Sequence, residues 1–82
     1  MTERAKPWRS MTVAYIREHE DRDYCEVMFL ESARFYRLPK ANAAFDEIIG
    51  TLRKSMAMGR PVRVALATVN GDVIEEVKMD GG

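Results

Sequence analysis

The chain has 82 residues, which suffice for one small domain with a core of limited size. Its 13 basic residues balance its 13 acidic residues, and this neutrality argues against nucleic-acid binding by bulk charge alone. A single cysteine suits a reducing compartment and no apolar run could span a membrane, so we expect a cytoplasmic protein.

The first part of the chain predicts a flexible arm followed by two paired strands. Residues 1–9 lack apolar periodicity and are expected to form the arm, whereas residues 10–80 are expected to form one compact domain. Residues 11–17 and 24–30 each alternate in hydropathy. The short polar loop between these two runs favours their antiparallel pairing.

The second predicted strand is apolar on both of its faces. One face is formed by Cys25, Val27 and Phe29. The opposite face is formed by Tyr24, Met28 and Leu30. A single helix covers only one face of a sheet. We therefore expect the second face to be covered in one of two ways. It binds a protein partner, which would be a second copy in a homodimer, or the N-terminal arm folds back over it through Trp8.

A short third strand and one helix are predicted next. Residues 32–38 have the pattern of a strand, which Pro39 ends because proline cannot donate to a β-ladder. A helix is expected to start with Asn42 as its N-cap and to stop just before Gly59. Apolar side chains at helical spacing predict the stripe that packs on the sheet, namely Phe45, Ile48, Ile49, Leu52 and Met56.

Residues 62–79 carry the signal of a β-hairpin. Two alternating runs flank Asn70-Gly71, a dipeptide typical of a type I′ turn, so Gly71 is expected to have a positive φ. That turn would place residue 63 opposite 78, 65 opposite 76 and 67 opposite 74. The predicted fold is α+β: a mostly antiparallel sheet of four to five strands, in the order β-β-(β)-α-β-β, with one helix on one face.

The residue types that carry catalysis or bind metals are sparse and scattered. The one histidine, His19, lies in an acidic loop and is expected to be solvated, while Cys25 is expected to be a small core residue. Glu75 and Glu76 are adjacent on a strand, so their side chains should point to opposite faces. We therefore expect no catalytic, cofactor-binding or metal-binding residues, and a protein that is not an enzyme.

Basic residues concentrate in the middle of the chain and suggest one alternative function. Aromatic and basic side chains interleave there, as they do in proteins that bind single-stranded nucleic acid. A weak anion-binding or nucleic-acid-binding domain follows if these residues form one patch in three dimensions. The candidate residues are Arg34, Arg37, Lys40, Arg60 and Arg63.

The chain ends in Gly81-Gly82, and residues 69–82 resemble the end of β-grasp sulfur carriers and other ubiquitin-like proteins. Those families activate the terminal carboxylate as an adenylate, so the resemblance implies a carrier that reacts through Gly82. Two features depart from that pattern, because residues 1–41 precede the predicted helix and no strand lies between Met79 and the tail.

The main hypothesis from the sequence is a small, non-enzymatic interaction or regulatory module of unknown partner. It rests on the uncovered apolar face of the second strand, through which the chain is expected to self-associate. The ubiquitin-like carrier and the weak anion-binding or nucleic-acid-binding domain are its alternatives.

Overall fold

A computed structural model describes residues 8–80 and contains six strands and one helix. They follow the chain as β1 (Trp8–Met11), β2 (Val13–Glu18), β3 (Tyr24–Phe29), β4 (Phe35–Pro39), α1 (Phe45–Met58), β5 (Val62–Leu66) and β6 (Ile74–Met79). The strands form two antiparallel sheets, the first sheet in the order β1-β5-β6 and the second sheet in the order β2-β3-β4. The predicted α+β class with one helix is confirmed, whereas the prediction of one sheet with four to five strands is wrong.

The run predicted as a single first strand is divided between the two sheets. Met11 pairs with Val62 in the first sheet, and Val13 pairs with Phe29 in the second. Thr12 lies between them and its backbone N–H donates to the carboxylate of Glu31 over 2.8 Å. The chain therefore crosses from one sheet to the other at Thr12, where a side chain from another part of the chain satisfies the backbone.

The boundary of the predicted arm also moves. Trp8 and Arg9 are not part of an arm but belong to β1, where they pair with Ala65 and Val64. The rest of the predicted arm and the predicted Gly81-Gly82 tail lie outside the described residues. For those segments the division into arm, domain and tail remains a prediction.

The helix packs one apolar stripe against both sheets. It lies against β2 of the second sheet and against β5 and β6 of the first. Ile48, Ile49 and Leu52 are buried as predicted, but Met56 at the end of the stripe is 41% exposed. Ser55 is the buried residue of that turn, so the stripe ends in a polar side chain rather than in a methionine.

The structure changes the predicted start of the helix and confirms its predicted end. Its N-cap is Ala44 rather than the predicted Asn42, whose Oδ1 accepts a hydrogen bond from the Ala44 N–H in the preceding turn. Gly59 stands just past the end, as predicted, with a left-handed φ of +66° that glycine adopts without strain. Within residues 8–80 this is the one helix, and it lacks the length and apolar character needed to cross a membrane.

The predicted pairing of the last two strands holds far from their connection and shifts close to it. Arg63 pairs with Lys78 as expected. A bulge after Ala65 then sets Leu66 opposite Ile74. The sequence predicted Ala67 as the partner of Ile74, so the observed pairing differs by one position.

The connection between β5 and β6 is not the predicted type I′ turn. Among the described residues only Gly59 has a positive φ, so Gly71 does not take the expected conformation. Instead the connection docks on the second sheet, where the Arg37 N–H donates to the Asp72 carbonyl over 2.7 Å. The Arg37 guanidinium also lies 3.3 Å from the Asp72 carboxylate. A contact with β4 therefore shapes this connection, and the local sequence does not encode that contact.

Candidate functional site

Two side chains of types that act as nucleophiles, Cys25 and Ser55, are enclosed in the core. Cys25 is fully buried, and this burial raises the pKa of its thiol. Ser55 is also fully buried; its Oγ donates to the Arg60 carbonyl over 2.5 Å and accepts from the Val13 N–H over 3.3 Å. Both residues therefore have structural roles, since a substrate would have to open the core to reach them.

The side chain of His19 is hydrogen-bonded within the domain, whereas the sequence predicted that it would be solvated. Its Nε2 lies 2.9 Å from the Glu26 carboxylate, and this hydrogen bond is the main reason why the pKa of Glu26 is lowered. The His19 carbonyl accepts a hydrogen bond from the Lys40 ammonium. Among the described residues, no cluster of three or more histidine, cysteine or carboxylate side chains could hold a metal ion.

The outer face of the second sheet, directed away from the buried side chains of β3, carries two rows of side chains across its strands. Strand register sets Met28 opposite Tyr15 on one side and opposite Phe35 on the other. The next row has Arg17, Glu26 and Arg37 in register. We call this surface the aromatic–arginine face, and it consists of Tyr15, Arg17, Tyr24, Glu26, Met28, Phe35 and Arg37.

The arginines of this face lie over its aromatic rings. The guanidinium carbon of Arg17 is 5.9 Å from the ring centroid of Tyr15 and 5.9 Å from that of Phe35. The guanidinium carbon of Arg37 is 5.5 Å from the centroid of Tyr24. Arg22, in the loop before β3, also lies over Tyr24 and donates to its hydroxyl over 2.8 Å. Cation–π contacts thus connect all three strands and hold the guanidinium groups in place.

The predicted partner-binding residues occupy two different places. Tyr24 and Met28 lie half-buried on the aromatic–arginine face, as their alternation with Cys25 and Val27 predicted. Leu30 instead lies beyond the end of β3 and is 70% exposed. The partner itself and the homodimer remain predictions. The sequence did not show that Tyr15 and Phe35 join this surface, because strand register brings them there.

The predicted anion-binding residues do not lie on one sheet. Arg37 belongs to the aromatic–arginine face, and Arg34 lies over the ring of Tyr36, 5.3 Å from its centroid. Arg63 belongs to the first sheet, where it lies over Trp8. The two remaining candidates, Lys40 and Arg60, follow β4 and the helix, respectively. The five residues are therefore divided between the two sheets and the segments that follow β4 and α1, and an anion-binding patch formed by them stays a prediction.

An open groove of about 380 Å³ runs between α1 and the edge strand β6. Its walls are formed by Ala44, Glu47, Ile48, Thr51, Glu75, Glu76, Val77 and Lys78. Glu75 and Glu76 are neighbours on a strand, so their side chains point to opposite faces of the sheet. Both nevertheless line the groove, because β6 lies at the edge of its sheet. The lining of the groove is predominantly acidic, and no local pattern in the sequence indicates it because its two walls come from separate elements.

Comparisons with known proteins identify the fold. No protein-family profile matches the sequence, and no curated protein is found to be similar. A crystal structure of pro-protein-glutaminase matches 88% of this chain with a TM-score of 0.77 and 24% identity. A mutant form of pro-protein-glutaminase matches the same share with a TM-score of 0.75 and 22% identity. In both cases the chain spans only 24% of the length of the matched structure.

These structures correct the function that was expected from the sequence. We expected a non-enzymatic module, with a ubiquitin-like carrier or an anion-binding or nucleic-acid-binding domain as alternatives. The solved structures that share the fold are instead those of the pro form of an enzyme, so those expectations are wrong. The absence of a nucleophile–base pair in the sequence suggested a protein unrelated to enzymes, but a domain within an enzyme chain need not carry the reacting groups. At this level of identity the likeness shows the fold, and the fold of this chain is that of one part of pro-protein-glutaminase.

Proposed function

We propose that this chain is one domain of an enzyme precursor of the protein-glutaminase type. The observation that carries the proposal is the similarity in backbone to pro-protein-glutaminase across 88% of the chain. The name of that enzyme denotes hydrolysis of the side-chain amide of glutamine in proteins, which yields glutamate and ammonia. Because the chain spans 24% of the matched structure, this activity is proposed for a complete precursor and not for residues 8–80 alone.

The chemistry of amide hydrolysis indicates how the domain would take part. The reaction needs a nucleophile within reach of a general base, and donors placed where the oxyanion develops. Within residues 8–80 the Cys25 thiol is enclosed, and Ser55 is hydrogen-bonded to the backbone on both sides. We therefore propose that the reacting groups are supplied from outside this domain, and that the domain acts by binding to the part that contains them.

A reconstitution experiment tests this proposal. A protein-glutaminase from which the segment with this fold has been deleted is mixed with the purified chain, and ammonia release from a glutamine-rich protein is measured. We expect saturable binding and a change in the rate of ammonia release. If the chain neither binds the deleted enzyme nor alters its rate, the proposal is wrong.

A second arm of the same experiment tests whether the catalytic groups lie in this domain. The chain alone is assayed together with its Cys25→Ala variant, in which the one thiol has been removed. We expect the same background from both. Ammonia release by the chain that is lost in the variant would put the nucleophile in this domain and contradict the proposal. A cytoplasmic location remains a prediction that rests on the single cysteine and on the apolar runs of the sequence, which are too short to span a membrane.

A further inference from the structure

We propose that the aromatic–arginine face binds an acidic, amphipathic polypeptide segment. The apolar side chains of that segment would cover the row formed by Tyr15, Met28 and Phe35, and its carboxylates would bind Arg17 and Arg37. This proposal rests on the geometry of the second sheet and does not depend on the proposed enzymatic role.

The apolar half of the proposal comes from exposed aromatic rings in register. Tyr15 is 48% exposed and Phe35 is 40% exposed, and Met28 lies between them on the central strand. Leu30, which is more exposed still, follows the end of the same central strand. Large exposed aromatic side chains close together are characteristic of binding surfaces, since they bury much area at a small cost in conformational entropy.

The charged half comes from guanidinium groups that keep part of their hydrogen-bonding capacity. The side chains of Arg17 and Arg37 are 50% and 49% exposed. The contact of Arg17 with Glu26 is 3.8 Å long, beyond hydrogen-bond distance, while Glu26 accepts a hydrogen bond of 2.9 Å from His19. Each guanidinium has five N–H donors, so a further carboxylate can bind without breaking the existing contacts.

The cation–π contacts prepare these arginines for a ligand. Arg17 lies over two rings that belong to β2 and β4, so its side chain is oriented before a partner arrives. An ordered guanidinium loses less conformational entropy on binding than a free one does, and it presents its edge to a planar carboxylate. The same arrangement also sets apolar area directly beside positive charge, which is the pattern that an acidic amphipathic segment complements.

Charge decides between the segment and two other occupants. A second copy packed through the same face would set a surface with two arginines and one glutamate against itself, and this excess of like charge disfavours self-association. A nucleic acid would meet Glu26 within the face and Asp72 at its edge, and the net charge of the chain is zero. An acidic polypeptide can place carboxylates at the arginines and apolar side chains elsewhere.

The test uses a synthetic peptide in which phenylalanines are flanked by glutamates, titrated into the isotopically labelled chain and followed by NMR chemical shifts. One control peptide has lysine in place of every glutamate, and another has serine in place of every phenylalanine. We expect saturable shifts confined to β2, β3 and β4 with the first peptide only. Absence of saturable shifts up to about 1 mM peptide would overturn the proposal, as would equal binding of the lysine peptide.

Matched variants locate the binding. Arg17→Gln should weaken binding of the acidic peptide about tenfold, and Phe35→Ser should weaken it at least as much. The control is Arg63→Gln, because Arg63 also lies 5.9 Å from an aromatic centroid but belongs to the first sheet. The dispersion of the amide signals confirms that each variant is folded. Equal losses in Arg17→Gln and Arg63→Gln would overturn the proposal.

Two further outcomes would assign the face to another occupant. Broadening of the signals from this face with rising protein concentration, without peptide, would show that a second copy covers it. Displacement of the acidic peptide by a single-stranded oligonucleotide of similar length would show that the arginines prefer phosphates. Either result would overturn the proposal.

Discussion

The outer faces of the two sheets both contain cation–π contacts but differ in how exposed their aromatic rings are. On the first sheet, Trp8 lies beneath the cations of Arg63 and Lys78, and its partner across the strands, Ala65, is fully buried. On the second sheet, Arg17 lies over the rings of Tyr15 and Phe35, two residues that are 48% and 40% exposed. Trp8 is thus half-buried beneath its two cations, whereas the rings beside Arg17 are more exposed, so exposure, rather than the presence of such contacts, distinguishes a candidate binding surface.

The comparison depends on a helix that is anchored to both sheets. Leu52 is fully buried at the centre of its stripe, so Leu52→Ala should lower the free energy of unfolding by about 2–5 kcal/mol, the largest effect we predict. Chemical denaturation measures it. The control is Met56→Ala, at an exposed position of the same helix, which should stay within about 0.5 kcal/mol of the parent protein. Similar losses in the two variants would mean that the helix is rotated.

A polar contact at the end of the helix links β2 to the turn between α1 and β5 and sharpens the same comparison. Ser55→Ala leaves the Val13 N–H and the Arg60 carbonyl without this partner, so it should cost about 1–3 kcal/mol. Ser10→Ala is the control, since the Ser10 hydroxyl bonds to Asp80 at the surface. A loss in Ser55→Ala no greater than that in the control would contradict the buried role.

The crossing between the sheets should depend on pH. Burial tends to raise the pKa of Glu31, but hydrogen bonds that include the Thr12 N–H outweigh it and lower this pKa overall. The folded state therefore gains stability above the unfolded pKa of about 4.3 and loses it as pH falls through the lower folded value. Glu31→Gln should be less stable than the parent at neutral pH, and the difference should shrink below about pH 4. Thermal unfolding across pH tests this, with Glu20→Gln as a control that should track the parent.

The smallest effects are expected in the connection between β5 and β6, which docks on the second sheet. Gly71→Ala should cost little, because Gly71 has no positive φ. The added Cβ would clash with the Thr68 hydroxyl, which can rotate away, and would lie at ordinary contact distances of 3.5 Å and 3.6 Å from the Thr68 Cβ and carbonyl oxygen. Asp72→Ala removes a partly exposed ion pair with Arg37 and should cost about 0–1 kcal/mol. A loss of more than about 1 kcal/mol in Gly71→Ala, but not in Asp72→Ala, would restore the type I′ turn that the sequence predicted.

Local signals in the sequence predicted the elements that depend on neighbouring residues. The helical stripe, the αL position of Gly59 and the alternation of Cys25 and Val27 with Tyr24 and Met28 are all encoded within a few residues. These features follow from backbone geometry and burial, which repeat with fixed periods along the chain.

Features that depend on distant contacts were missed. Thr12 divides one apparent strand because the carboxylate of Glu31 reaches it, and the connection after β5 is shaped by Arg37. The aromatic–arginine face needs the register of three strands before Tyr15 and Phe35 meet. Only Ser55 could have been found, since it stands three residues after Leu52 on the same helical stripe.

Hydroxyl-radical footprinting of the chain, free and with the acidic peptide, tests the contrast between the two faces most directly. We predict that Tyr15 and Phe35 are oxidised readily in the free chain and are protected by the peptide, while the oxidation rate of Trp8 does not change. If Tyr15 and Phe35 are already protected in the free chain, or if the peptide protects Trp8 equally, the account of the second sheet as the more exposed, peptide-binding face is wrong.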